Sequence, residues 1–163
     1  MPLTAPQMAT LKTWLLANAV GMDDSTAAGA LNGAATPAFY VYETDVPVEE
    51  IMLNGFDWTR VDNLSIGKAR IWEWMTTANS DRAINPSKPN IRAGINATWV
   101  GTAADLLVRD AVYAHCYRKS TVAEKLLATG TGTAPVADGS GPAVSNYVEP
   151  ITVLDVEFMR TRI

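Results

Sequence analysis

The sequence predicts a mainly α-helical protein: a small helical bundle, an extended strap at about 37–46, and a long irregular C-terminal arm. Two observations carry the bundle. Apolar residues recur at helical spacing through most of the first 128 residues, and capping residues stand ahead of several of those runs. A third carries the arm. Gly, Ser, Thr and Pro dominate residues 129–146, where the helical pattern is gone. The expected organisation is therefore one helical domain over 1–128 and an arm over 129–163 that ends in a short helix or strand.

Thr4 can cap a first helix with Pro6 in its first turn, where a missing N–H costs little. Met8, Leu11 and Leu15 form its apolar stripe beside Trp14, and Gly21 stands where a C-cap glycine would. A second, shorter helix starts at Asp23 or Asp24 and runs to Asn32-Gly33; its small residues allow close approach to a neighbour. "TPAFYVYETDVP" breaks the pattern. Its aromatic and β-branched residues favour an extended chain, but the run is too short for a sheet of its own. Pro47 can open the short helix "VEEIMLN", ended by Gly55.

Thr59 and Asp62 flank the next start. Leu64, Lys68, Ile71, Trp72 and Met75 then predict a helix from about 62 to 78. After "NSDRAINPSKPN", Ser87 is the expected cap of a helix carrying Ile91, Ile95 and Trp99 at i+4 spacing, ended by Gly101. Thr102 and Asp105 give a capping-box pattern for a helix to about Arg118, with Arg118 and Lys119 in its last turn favouring the macrodipole. Thr121 and Glu124 form the preferred version of the box ahead of "VAEKLLAT". The last stretch, "PITVLDVEFMRTRI", reads as a strand or as a short helix starting near Thr152, the second being preferred.

At 163 residues one domain is the natural count, and no disulfide or metal staple is needed. Hydrophobic residues make up 48% and charged residues 18%, below the usual ~25%. A low charge fraction and five Trp suit a protein that covers its surface with partners, although a Trp-rich core accounts for them equally well. The net charge of −4 comes with no basic run, so phosphate-backbone binding has no electrostatic footprint. The lone Cys116 excludes an internal disulfide and fits a reducing compartment. The N-terminal apolar patch lacks the layout of a signal peptide, and no run nears the ~20 apolar residues of a membrane span. Cytoplasm-like conditions are expected.

No catalytic constellation stands out. In "KLLATGTGTAPVADGSGPAVSNYVEP" the glycines follow a helix, Gly130, Gly132 and Gly139 match no nucleotide signature, and no Lys lies between Ala128 and Pro150. Long structureless loops are usually functional or disordered, so this segment is a tail, a lid, or an arm ordered on another chain. His115 and Cys116 are adjacent, so on a helix they point about 100° apart and make a poor base–nucleophile pair. Without a second Cys or His, zinc is implausible. The carboxylates are scattered and read as caps and solvated faces. Lys68, Arg70, Lys88 and Arg92 bracket "INPSKPNIR"; they have the charge to touch nucleic acid but read better as a solvated rim. Trp72 and Trp74 lie on different faces of one helix, so either one faces the core and the other can meet a partner, or both are partly buried. No cofactor or metal is expected, and no enzyme activity.

Three stretches in order carry a resemblance: "PAFYVYETDVPVEEI" with "FDWTRVDNLS", then "INPSKPNIRAGINATWVG", then "STVAEKLLATGTGTAPV". Together they resemble a family of tailed-bacteriophage virion structural proteins encoded among head and tail morphogenesis genes, with coverage best over about 37–135. The stretch "GSGPAVSNYVEPITV" is longer than the family pattern. The resemblance implies a virion protein assembled in the host cytoplasm. Its most natural place is as a head–tail connector, or adaptor, forming a ring between portal and tail; a tail terminator or capsid-decorating protein is the alternative, and a small enzyme the remote one. Implied partners are further copies in a ring, with twelvefold symmetry as one candidate, and portal, tail or neck proteins. DNA would pass nearby without specific binding, and no membrane is involved. Ring-closing contacts need two different faces on one subunit. The candidate interface residues are Trp14, Trp74, Trp99, Gly130, Gly132, Pro135, Tyr147 and Pro150.

Overall fold

The computed structural model describes residues 2–53, 55–77 and 82–162. The protein is mainly helical, with 54% of the described residues in helices and little sheet among them. It divides into two compact units rather than the single domain and arm expected from the sequence. The first unit is Met1–Val41, Lys119–Thr133 and Ala143–Ile163; the second is Tyr42–Arg118 and Ala134–Pro142.

The first unit packs four helices: α1 (Ala5–Asn18), α2 (Asp24–Asn32), α8 (Val122–Leu127) and α9 (Val153–Arg162). Both α1 and α2 pack against α8 and against α9. Each start has a local cause. Gln7 Oε1 accepts from Thr4 N (2.8 Å) and Thr4 Oγ1 at the head of α1. Asp23 Oδ1 accepts from Thr26 N at 2.7 Å and caps α2. Thr121 and Glu124 exchange both bonds of a capping box before α8. Thr152 and Asp155 do the same before α9, which decides the final stretch as a helix. The core holds Leu11, Leu15, Leu31, Leu127, Ile151, Val156 and Met159.

The second unit holds α3 (Val48–Leu53), α4 (Trp58–Asp62), α5 (Ile66–Thr77), α6 (Pro89–Thr98) and α7 (Ala103–Ala114). Its core is aromatic at the centre. Trp72 stacks on Phe56 at 5.6 Å, and Trp99 meets both edge-on at 5.3 and 5.6 Å. Arg60 holds α4 near the start of α7, with Nη2 2.5 Å from Asp105 Oδ1. That guanidinium, helped by the Thr102 cap, keeps the Asp105 carboxyl below its ordinary range.

Several elements depart from the sequence reading. The strap is not unpaired: β1 (Tyr40–Tyr42) and β4 (Tyr117–Lys119) form one two-stranded sheet. The other joins β2 (Val46–Pro47) to β3 (Ala83–Ile84), with Val46 opposite Ile84 and Pro47 opposite Ala83. Pro47 therefore sits in a strand, not in a helix start. The expected helix at 62–78 begins later, at Ile66, and a separate turn, α4, precedes it; its expected end at Ala78 lies outside the described residues, as does Asn54 of "VEEIMLN". The N-cap of α6 is Lys88, not Ser87, because Ser87 N and Oγ both donate to Asn85 Oδ1 in a turn. Helix α7 stops four residues early, so Arg118 and Lys119 lie in β4 rather than in its last turn.

The largest departure is the arm. Residues 129–163 are not set apart from a 1–128 domain, and the chain itself supplies their partners. Thr129 and Val144 exchange backbone bonds of 2.9 and 2.8 Å, and Asn146 Nδ2 donates to Leu127 O at 2.8 Å. Tyr40 N donates to Gly132 O, and Ala143 N to Tyr40 O, each at 2.9 Å. In the second unit Tyr42 Oη donates to Gly139 O at 2.7 Å, and Asn96 Nδ2 to Asp138 O at 2.9 Å. The glycines serve close contact. Gly132 (φ +62) lies against the Phe39 ring and Gly139 (φ +76) against the Tyr113 ring, and a Cβ at either would enter the ring.

Asn32 closes the first unit. Its Nδ2 donates to Ile151 O and its Oδ1 accepts from Ile151 N, both at 2.8 Å. Asn32→Ala should lower unfolding free energy by about 1–3 kcal/mol in urea titration, because both backbone groups of a buried residue lose their partner. Gly132→Ala should cost about 2–4 kcal/mol in the same assay, from the left-handed backbone and the collision with Phe39 together.

Candidate assembly surfaces

Among the described residues, exposed apolar side chains border several hollows. In the second unit, Val48, Met52, Leu53 and Trp58 line an open groove of about 590 Å³, with Glu49 and Arg82 at its charged points. Helix α3 supplies one wall. The turn of α4, capped by Asp57 Oδ1 on Thr59 N at 3.0 Å, presents Trp58. Trp58 meets Phe56 edge-on at 5.4 Å, so the core fixes its inner edge while 57% of its surface stays exposed. Leu53 is 72% exposed.

On the same unit Trp74, 66% exposed, borders a hollow of about 340 Å³ with Met75, Ile84, Lys88 and Ile91. Trp72 is buried, so the expectation that the two tryptophans of "IWEWM" divide between core and surface describes this helix. In the first unit Lys12, Leu16, Val20, Met22 and Arg160 surround a groove of about 250 Å³.

The other predicted interface residues scatter. Trp99 is wholly buried between Phe56 and Trp72, and reaching a partner would mean dismantling that core; it is a core residue. Tyr147 is buried with the first unit's core and Gly132 is buried against Phe39. Trp14 is half-buried against the same core as Tyr147. Gly130 and Pro150 are exposed on the first unit, and half-buried Pro135 borders a hollow on the second beside Asp110 and Tyr117.

Exposed apolar residues outside the sequence reading are Leu53 and Trp58 in the first groove, Leu16 and Val20 in the last, and Leu154 and Phe158 on the outer side of α9. A signal existed for some. Leu15 and Leu16 are adjacent on one helix and cannot both face its core. Leu154 and Phe158 are i, i+4 neighbours on the side of α9 away from Val156 and Met159.

His115 is the C-cap of α7 and lies 3.4 Å from Glu50 through Nδ1. Cys116 is buried and its thiol donates to Val112 O at 3.2 Å. Among the described residues, no group of three or more His, Cys, Asp or Glu is placed to hold a metal ion. Among the same residues, no helix is long and apolar enough to cross a membrane. Compared with known protein families, curated proteins and solved structures, the chain matches none.

Burial pushes the Cys116 thiol up from 9.0 to about 12. The stability this gives is complete below pH 9 and is lost as pH rises from 9 toward 12, where only the unfolded thiol ionises easily. A thiol reagent at neutral pH should therefore label the native protein at least about a hundredfold more slowly than the denatured chain. Mass spectrometry of the two time courses checks this.

Proposed function

We propose that this chain is a structural subunit of a tailed-phage virion, acting as a head–tail connector that forms a ring between portal and tail. The observation that carries the reading is the apolar groove around Trp58 and Leu53. Water-exposed Trp and Leu lining one concave surface are unusual on a solitary protein, and rigid aromatic anchors are what interfaces use. The second exposed tryptophan, Trp74, and the apolar groove of the first unit supply further surfaces. The resemblance of "PAFYVYETDVPVEEI", "INPSKPNIRAGINATWVG" and "STVAEKLLATGTGTAPV" to phage morphogenesis proteins supports the same reading.

In this role the protein works by docking, not by chemistry. Subunits are made in the host cytoplasm, settle on the portal through pre-formed apolar grooves, and offer a platform to tail or neck proteins. A pre-folded C-terminal segment lowers the entropy lost on docking compared with a disordered one. DNA passes the ring without sequence-specific contact.

The test is the particle itself. Mass spectrometry of purified particles from the phage that encodes the chain should find it in stoichiometric amounts. Particles made without it should carry heads unjoined to tails. Trp58→Ala should lower incorporation by about tenfold or more while leaving the subunit folded, as expected of a central aromatic anchor. Absence of the chain from purified particles would overturn the proposal.

A further inference from the structure

We propose that the groove beside the C-terminal end of α1 receives the outer face of α9 from a second copy of this chain. The inference rests on the assembly reading above and names one of its contacts. Lys12, Leu15 and Leu16 lie at i, i+3 and i+4 along one stripe of α1, and Ala19, Val20 and Met22 continue it from the C-cap onward. Leu15 and Ala19 are buried floor, whereas Leu16 and Val20 stand 64% and 80% exposed.

Arg160 builds the far wall and is committed there. Its Nη1 donates to Asp24 Oδ1 (2.6 Å) and Met22 O (2.8 Å), and its Nη2 to Ala19 O (3.1 Å). Lys12 is then the cation whose charge the groove presents outward, and no carboxylate is among the lining residues. At about 250 Å³ the groove is smaller than the ~300–1,000 Å³ typical of small-molecule sites. It suits one or two inserted side chains.

The same chain carries a surface of matching chemistry. Along α9, Leu154, Glu157, Phe158 and Thr161 lie at i, i+3, i+4 and i+7, all exposed, opposite the buried Val156 and Met159. An acid flanked by a leucine and a phenylalanine complements a lysine flanked by aliphatic groups. Leu154 and Phe158 enter against Leu16 and Val20, and Glu157 faces Lys12. The two patches consist of different residues, so the contact either pairs reciprocally in a twofold dimer or runs head to tail. Repeated head to tail, as the assembly reading requires, it closes into a ring or runs on as a filament.

Sedimentation velocity of the full chain over a concentration series tests this, using the parent, Lys12→Glu, Glu157→Lys and the double variant. The parent should associate beyond the monomer. Each single reversal should raise Kd about tenfold or more, and the double should recover most of the loss. Phe158→Ser should weaken association by a similar factor. Thermal melts by circular dichroism should stay unchanged, since Lys12, Glu157 and Phe158 lie outside the buried core. A parent that stays monomeric at every concentration overturns the inference, and so does a double variant no better than the singles. If the parent associates and the single variants match it, this contact is overturned. None of these results removes the chain from purified particles, which is the separate test of the assembly reading.

Discussion

The amide of Asn32 lies alongside the backbone of Ile151 like a short piece of β-ladder, giving one bond and accepting another. Ile151 is buried, so its N–H and C=O must find partners inside the protein, and a side-chain amide is one of the few groups that satisfies both. This pairing fixes where the chain stands as it enters α9. From there Val156 and Met159 fall into the core formed by Leu11, Leu15 and Leu31. Arg160 then reaches Asp24, the C-cap carbonyl of α1 at Ala19 and the carbonyl of Met22. Segments more than a hundred residues apart are thus joined by polar contacts of definite geometry together with the hydrophobic core.

The second unit is built by a different means. Phe56, Trp72 and Trp99 make a rigid aromatic centre, and Arg60 and Asp105 form a partly buried ion pair beside it. Arg92 lies 4.4 Å over the Tyr42 ring while donating to Pro86 O and Ser87 O, so one guanidinium orders the turn before α6. The glycine-rich loop 134–142 fits onto this unit through Gly139, which accepts from Tyr42 and lies flat on Tyr113. Burial raises the phenol of Tyr113 far above its ordinary value, and its hydroxyl stays neutral beside Asn96.

What the sequence made legible was local. The starts of α1, α2, α7 and α8 were marked by Thr4, Asp23, Thr102 and Thr121, because a cap is a contact between residues three apart. The early stop of α7 was hidden, because Tyr117–Lys119 pairs with a strand more than seventy residues earlier. The tail was misread for a related reason. A glycine that permits flexibility and a glycine that permits an aromatic ring to lie on the backbone look identical in sequence, and only Phe39 and Tyr113 tell them apart. Tryptophan was equally ambiguous: Trp99 closes a core and Trp58 and Trp74 stand in water, with no difference in their immediate neighbours that says so. Of the candidate surfaces, the exposed half of α9 was readable from spacing once the stretch was known to be a helix.

The first unit is assembled from three separate segments, the last being Ala143–Ile163. During synthesis, α1 and α2 leave the ribosome long before α9 exists, so Leu11, Leu15 and Leu31 have no lid while more than a hundred residues are added. The second unit, continuous apart from one loop, meets no such delay. Translation therefore imposes an order of maturation, in which the unit containing α1 and α2 is completed only after the second unit, and nascent chains wait with a sticky half-core until α9 has been made.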